Sequence, residues 1–129
     1  MAKRILVVDD GPDIMKVVVF RLRKAGYEIA NATNGLEALD LLERGETVDL
    51  IRLDLVMPVA DGYEFCRSLR GDAGLCAIPV IILSASATRD TRERVKELGA
   101  RDYIVKPFEP ERPLARVGEV LAGPPTVFA

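Results

Sequence analysis

Five short apolar runs alternate with five segments of helical period along this chain, and that alternation leaves few folds open. The first run lies within Lys3 to Asp10 and carries four consecutive aliphatics, Ile5-Leu6-Val7-Val8, as a strand buried on both faces does. It ends on two acids, Asp9 and Asp10, and Gly11-Pro12 breaks it, with Pro12 suited to the first turn of a helix. Ile14, Val17, Val18, Leu22 and Ala25 then recur at helical spacing as the expected core face, and Gly26 closes that helix.

The same pattern repeats four times. Tyr27 to Ala32 reads as a second strand. Asn34 followed by Glu37 has capping-box spacing, and Leu36, Ala38, Leu39 and Leu42 line one face of a second helix that Arg44-Gly45-Glu46 ends. Asp49 to Leu53 or Asp54 is the third strand, followed by a loop through Met57-Pro58 and Asp61-Gly62. Tyr63, Phe65, Cys66 and Leu69 mark the third helix, and Ile78 to Ser84 the fourth strand, with Pro79 near its start. A fourth helix spans Arg89 to Leu98 with only Val95 and Leu98 as large anchors. Asp102 to Lys106 is the fifth strand, and Glu111 to Ala122 the fifth helix. Strands and helices alternating at this spacing imply a single-domain (βα)5 α/β fold, a doubly wound parallel five-stranded sheet with right-handed crossovers. The domain is expected over residues 1–122, with 123–129 a frayed tail or cut linker and no length for a second domain.

Composition narrows the chemistry. A net charge of −2 argues against a nucleic-acid surface, and no apolar run reaches the length of a membrane span. No signal peptide is legible at the start, so a cytoplasmic protein is expected. Cys66 and Cys76 have no metal spacing and read as reduced, buried, small apolar residues. The chain contains no histidine, which removes histidine bases, histidine-ligated metals and phosphohistidine. Carboxylates, Lys and Ser remain.

Parallel strands share one carboxyl edge, and ligands gather there. The five strands would deliver Asp9, Asp10, Asp54, Ser84 and Lys106 to it. Taken singly, each has an ordinary structural explanation as a cap, an ion pair or a solvated charge. Jointly they suit a hard divalent cation held by oxygens, with an ammonium and a hydroxyl for the oxygens of a transferring phosphoryl group. Asp54, alone on a central strand, is the best nucleophile.

From Lys3 to Leu121 the chain resembles the receiver domain of two-component response regulators. The motifs that carry this are Val7-Val8-Asp9-Asp10, Asp49-Leu50, Asp54-Leu55, Met57-Pro58, Asp61-Gly62, Ile82-Leu83-Ser84-Ala85 and Lys106-Pro107-Phe108. The resemblance implies a flavodoxin-like sheet of strand order 2-1-3-4-5. It implies Asp54 as phosphoacceptor, Asp10 as a direct Mg2+ ligand, Asp9 as a ligand mainly through water, and the Val56 carbonyl as a further ligand, with Mn2+ as a substitute ion. It makes Ser84 the switch hydroxyl, Tyr103 the switch aromatic and Lys106 the phosphoryl contact, and it implies a cis Lys106-Pro107 peptide. The donor would be a histidine kinase or phosphotransfer protein. The output would be a downstream protein, a missing output domain or a phosphorylation-dependent homodimer through the fourth and fifth helices, with no direct binding to nucleic acid or membrane.

Several residues depart from that pattern. Gly11 follows the acid pair where an acid or amide is common, and Val59 stands where Gly is frequent after Met-Pro. Val56 cannot orient water, so slow autodephosphorylation is expected. Pro113 and Gly118 predict a shortened or soft fifth helix, since Gly in a helix interior costs about 1 kcal/mol. Arg52 shares the strand parity of Asp54, about 7 Å away along the strand, and is expected to pair with a carboxylate or to extend outward between helices. Two other readings stay open: a pseudo-receiver scaffold that is never phosphorylated, and an aspartyl-phosphate phosphatase. The latter usually wants an acid at the position of Val56. A dinucleotide site is disfavoured, because no GxGxxG follows the first strand.

Overall fold

The structure, a computed structural model, describes residues 2–54, 59–84, 89–97, 99–100, 102–105 and 111–122. Ten elements alternate in order: β1 (Arg4–Val8), α1 (Pro12–Lys24), β2 (Glu28–Ala32), α2 (Gly35–Glu43), β3 (Leu50–Asp54), α3 (Val59–Arg70), β4 (Val80–Ser84), α4 (Arg89–Glu97), β5 (Asp102–Val105) and α5 (Glu111–Ala122). All strand pairs are parallel and the sheet order is β2-β1-β3-β4-β5, as the resemblance implied.

Strand alternation divides the core into two layers. Leu6, Val8, Ile51, Leu53 and Ile82 face Ala38 and Leu42 of α2 and Phe65, Cys66 and Leu69 of α3. Ile5, Val7, Leu50, Ile81, Leu83 and Ile104 face Leu22 of α1 and Val117 and Val120 of α5. The central strand β3 is buried along its whole length, Arg52 and Asp54 included.

The turn chemistry explains the element ends. The Asn34 side chain accepts the Glu37 amide at 2.8 Å, while the Glu37 carboxylate reaches back to the Thr33 hydroxyl. Gly26 and Gly45 leave their helices at φ 99° and 93°, a region that disfavours side chains.

Several expectations are corrected. Ile14 and Val17 on α1 and Ala25 at its C-cap are exposed, and the buried anchors of the helix are Val19 and Leu22. Leu36 is exposed, because it lies off the face that Gly35, Ala38 and Leu42 bury. The helix α3 begins at Val59, so Asp61-Gly62 lies within it rather than in a loop. Cys76 is exposed on the α3–β4 connection, and only Cys66 is buried. The helix α5 runs unbroken from Glu111 to Ala122, so it is not shortened. Pro113 falls in its first turn, where a missing N–H costs little, and a Cβ at Gly118 would meet the Tyr27 hydroxyl at 3.6 Å. The side chains of Tyr63, Val95 and Leu98 lie outside the described residues.

Candidate functional site

Register brings two of the predicted acids together. The β1–β3 pairing sets Val7 beside Arg52 and Val8 beside Leu53, and continuing it sets Asp9 beside Asp54. The alternation that sends Val7 and Leu50 toward α1 and α5 sends Asp9, Arg52 and Asp54 to the same face of the sheet. Three charged residues therefore share one buried patch at the carboxyl edge, with 2%, 4% and 1% of their surfaces exposed, respectively.

The backbone aims Asp9. Its own amide donates to the Ala32 carbonyl at 3.1 Å, carrying the β1–β2 ladder one residue past the strand. Its Oδ1 accepts the Gly11 amide at 2.9 Å, a side-chain turn that shapes the entry to α1. The other oxygen, Oδ2, lies 3.8 Å from Arg52 Nη1. That is an ion pair beyond hydrogen-bond reach, and neither atom has a hydrogen-bond partner among the described residues. Arg52 has thus found a carboxylate partner, as its strand parity led one to expect, and it remains buried.

The electrostatics follow from crowding. Burial pushes the Asp9 carboxyl above its ordinary value; the Gly11 amide opposes this, the Asp54 carboxylate adds to it, and the Arg52 guanidinium opposes it again. Burial also lowers Arg52 from its ordinary value, while Asp54 and then Asp9 pull it back up. The two acids repel each other, and among the described residues Arg52 is the buried cation beside both.

The remaining predicted residues divide. Asp10 is exposed, so the acid pair is split between pocket and surface, one acid on each side of the strand end. Ser84 ends β4, its backbone in register with Val105, and Tyr103 lies on β5 beside Ile82. The side chains of Ser84 and Tyr103, and Val56, Lys106 and the Lys106-Pro107 peptide altogether, fall outside the described residues. Among the described residues no three acidic side chains form a cluster ready for a metal. Asp9 and Asp54 nevertheless fit a hard cation by donor type, because both offer carboxylate oxygens and Asp9 Oδ2 is buried without a hydrogen bond.

Reading the sequence also missed a surface on α1. The outer face of α1 exposes Ile14, Val17 and Phe20, the last 65% exposed. Lys16, Val17, Phe20, Arg21 and Lys24 line a shallow groove, with the Lys24 ammonium 5.9 Å from the Phe20 ring. Apolar residues run all round α1, more than one buried face needs, and that excess was the available signal.

Comparison with known proteins is consistent with this geometry. The family model described as "Response regulator receiver domain" matches residues 5–118. A probable transcriptional regulator, ycf27, of Porphyridium aerugineum is 42% identical over 119 residues, covering 92% of this chain and 48% of the relative. The alkaline phosphatase synthesis transcriptional regulatory protein PhoP of Bacillus subtilis is 40% identical over 121 residues, covering 94% and 49%. The chain spans about half the length of the curated relatives it matches. Among solved structures, the Vibrio cholerae chemotaxis protein CheY4 superposes with a TM-score of 0.82 at 32% identity, covering 92% of this chain and 98% of that one.

Proposed function

The chain belongs to the response regulator receiver domain family, and from that premise we propose that it is a phosphorylation switch whose acceptor is Asp54. The observation that supports this best is the placement of Asp54: buried at the carboxyl end of the central strand, in register with a second buried carboxylate. A nucleophile held there is shielded from water yet stands where strand ends open to a ligand.

The donor in this reading is a phosphohistidine on a histidine kinase or phosphotransfer protein. An Asp54 carboxylate oxygen attacks phosphorus, the P–N bond breaks, and its electron pair stays on the imidazole nitrogen, which takes up a proton. Asp9, Asp10, Asp54 and the Val56 carbonyl would hold Mg2+ or Mn2+, which supplies charge neutralisation for the phosphoryl oxygens. Lys106 adds a second positive charge, and Ser84 a hydroxyl donor. Ser84 and Tyr103 then bias α4, β5 and α5 between two arrangements. The output is a partner, a further domain or a homodimer formed through α4 and α5. Relatives twice as long that are named transcriptional regulators support an output domain. With Val56 unable to orient water, the phosphoryl group is long-lived; loss within seconds at 25 °C without a phosphatase would speak against this.

A cytoplasmic setting fits the family, and among the described residues no helix is long and apolar enough to cross a membrane. The groove on α1 suits the donor protein. Pro12 opens that helix two residues after Asp10, so its exposed apolar stripe borders the pocket a phosphohistidine must reach.

One observation favours a second reading. Arg52 already supplies positive charge to the pocket, as a scaffold that is never phosphorylated would tolerate. Intact mass after incubation with Mg2+ and a small phosphodonor separates the two. The switch predicts one phosphoryl adduct on the wild type and none on Asp54→Asn. A scaffold gives no adduct, and a phosphatase turns over without accumulating one.

A further inference from the structure

We propose that Arg52 is a resident cation of the carboxylate pocket, supplying part of the positive charge that Asp9 and Asp54 would otherwise draw from a divalent ion, and thereby weakening the pocket's hold on that ion. This rests on the reading of Asp9 as ligand and Asp54 as acceptor.

Toward Asp9, the placement of Arg52 is unlike that of an arginine kept for structural pairing. Such a residue normally grips a carboxylate through two short hydrogen bonds, which offset part of the cost of burial. Here Nη1 stands 3.8 Å from Asp9 Oδ2, with no hydrogen bond to either atom among the described residues. The side chain is 4% exposed, so water does little to screen it. Between Arg52 and Asp9 what remains is charge, and the same guanidinium lies beside Asp54 as well, on the same face and within the same two strands. It was available only because β3 carries Arg52 at the parity of Asp54, among the otherwise apolar residues Leu50, Ile51 and Leu53.

The consequence concerns the acid that has an oxygen to spare. Asp9 Oδ2 is buried without a hydrogen bond among the described residues, and it faces Arg52. An ion bound through it brings two positive charges close to a third. At separations of several ångströms in a partly buried site, that repulsion weakens binding about ten- to a hundredfold relative to a neutral residue. The same charge lets the pocket persist with no metal, since the two carboxylates are never left facing each other alone.

The probe is Mg2+ itself, titrated calorimetrically into the wild type, Arg52→Gln and Arg52→Lys. Arg52→Gln is expected to bind Mg2+ about tenfold or more tightly than the wild type, and Arg52→Lys within about threefold of it. Equal affinity in all three chains overturns the proposal, as does equal tightening in Gln and Lys, which would point to shape rather than charge. Where Arg52→Gln folds only with Mg2+, chelation carries the test: the variant unfolds on chelation while the wild type does not. A wild type whose Tm rises steeply with millimolar Mg2+ overturns it. The phosphodonor assay on the same preparations keeps the two readings apart. An adduct on Asp54 with unchanged Mg2+ affinity sinks the role of Arg52 alone. A retained affinity difference with no adduct in any chain sinks the acceptor role alone.

Discussion

The Arg52 guanidinium lies 3.8 Å from the Asp9 carboxylate, both side chains buried, with no hydrogen bond joining them. A pair so placed interacts through space, and its strength is measurable as a coupling. In a double-mutant cycle of Asp9→Asn and Arg52→Gln, urea unfolding without divalent ions is expected to give about 1–2 kcal/mol of coupling. Arg52→Gln leaves two buried carboxylates without that cation and costs about 1–3 kcal/mol, whereas Asp9→Asn removes a charge that burial and Asp54 already disfavour and costs less. Coupling within error of zero would mean that Arg52 is held by Asp54 rather than by Asp9.

The end of α4 supplies a second prediction. Gly99 has φ 81°, and a Cβ added there would overlap the Arg70 guanidinium, whose Nη1 donates to the Glu97 carbonyl at 3.2 Å. Arg70 thereby ties α3 to the last turn of α4 and satisfies one of its carbonyls. Gly26 and Gly45 are also left-handed but have open space around them. Alanine at either should cost about 1–2 kcal/mol from backbone strain alone. Alanine at Gly99 should cost about 1 kcal/mol more, because the exposed Arg70 must swing aside and give up its hydrogen bond to Glu97. In a chain already carrying Arg70→Ala, Gly99→Ala should cost no more than alanine at the other two glycines. If the three glycines respond alike in the wild type, that hydrogen bond contributes nothing.

The two thiols should behave oppositely. Burial pushes the Cys66 thiol up to about 11, from an ordinary 9.0, while Cys76 is exposed. A disulfide reagent at pH 8 should label Cys76 quickly and Cys66 only at the rate of unfolding. Stability should also carry a pH signature. The folded chain holds the Cys66 proton more tightly than the unfolded chain, so this contribution is complete below pH 9 and lost as pH rises through about 11. The full loss is about 2–3 kcal/mol. Urea unfolding of the wild type and Cys66→Ala across that window, each referenced to pH 7, should show the slope in the wild type alone.

How much of this was legible before the fold was known depends on what each feature requires. Buried parallel strands announce themselves as aliphatic runs, so β1, β4 and most of β3 could be read directly, while β2 (EIANA) and β5 (DYIV) carry that signal weakly and lean on the alternation with helices. The position of Asp54 followed, because it needs only the end of one such run. The roles of Asp9 and Asp10 needed more. Both end the same strand, and only the register between β1 and β3, together with the alternation of faces, puts Asp9 inside and leaves Asp10 outside. Register is a tertiary fact that one sequence does not carry. Arg52 lay between these cases: its burial followed from strand parity, but its partner sits on another strand. Helix faces were least legible. On α1 the apolar residues exceed one face, so periodicity could not decide which of Ile14, Val17, Val19 and Leu22 pack inward. The same ambiguity hid Asp61-Gly62 inside α3, where a turn-forming pair stands in the first helical turns.

That surplus on α1 leads to the last prediction. Phe20 is 65% exposed, flanked by Val17 and Ile14 and backed by Lys24. Exposed apolar residues at successive turns, beside basic ones, suit an apolar partner surface with an acidic rim. If the phosphohistidine donor docks there, Phe20→Ala removes an anchor worth about 1–2 kcal/mol. Transfer from a donor protein at subsaturating receiver should then slow about five- to thirtyfold. A small phosphodonor reaches Asp54 without touching α1, so its rate should stay unchanged, and stability should change little because Phe20 is already in water. Lys16→Glu, also on the groove and exposed, should slow the protein donor further at low salt and less so at high salt. Equal loss with both donors would place the defect in the pocket. No loss with either would leave the stripe to some other partner, and the donor would then have to approach Asp54 by a face that avoids α1.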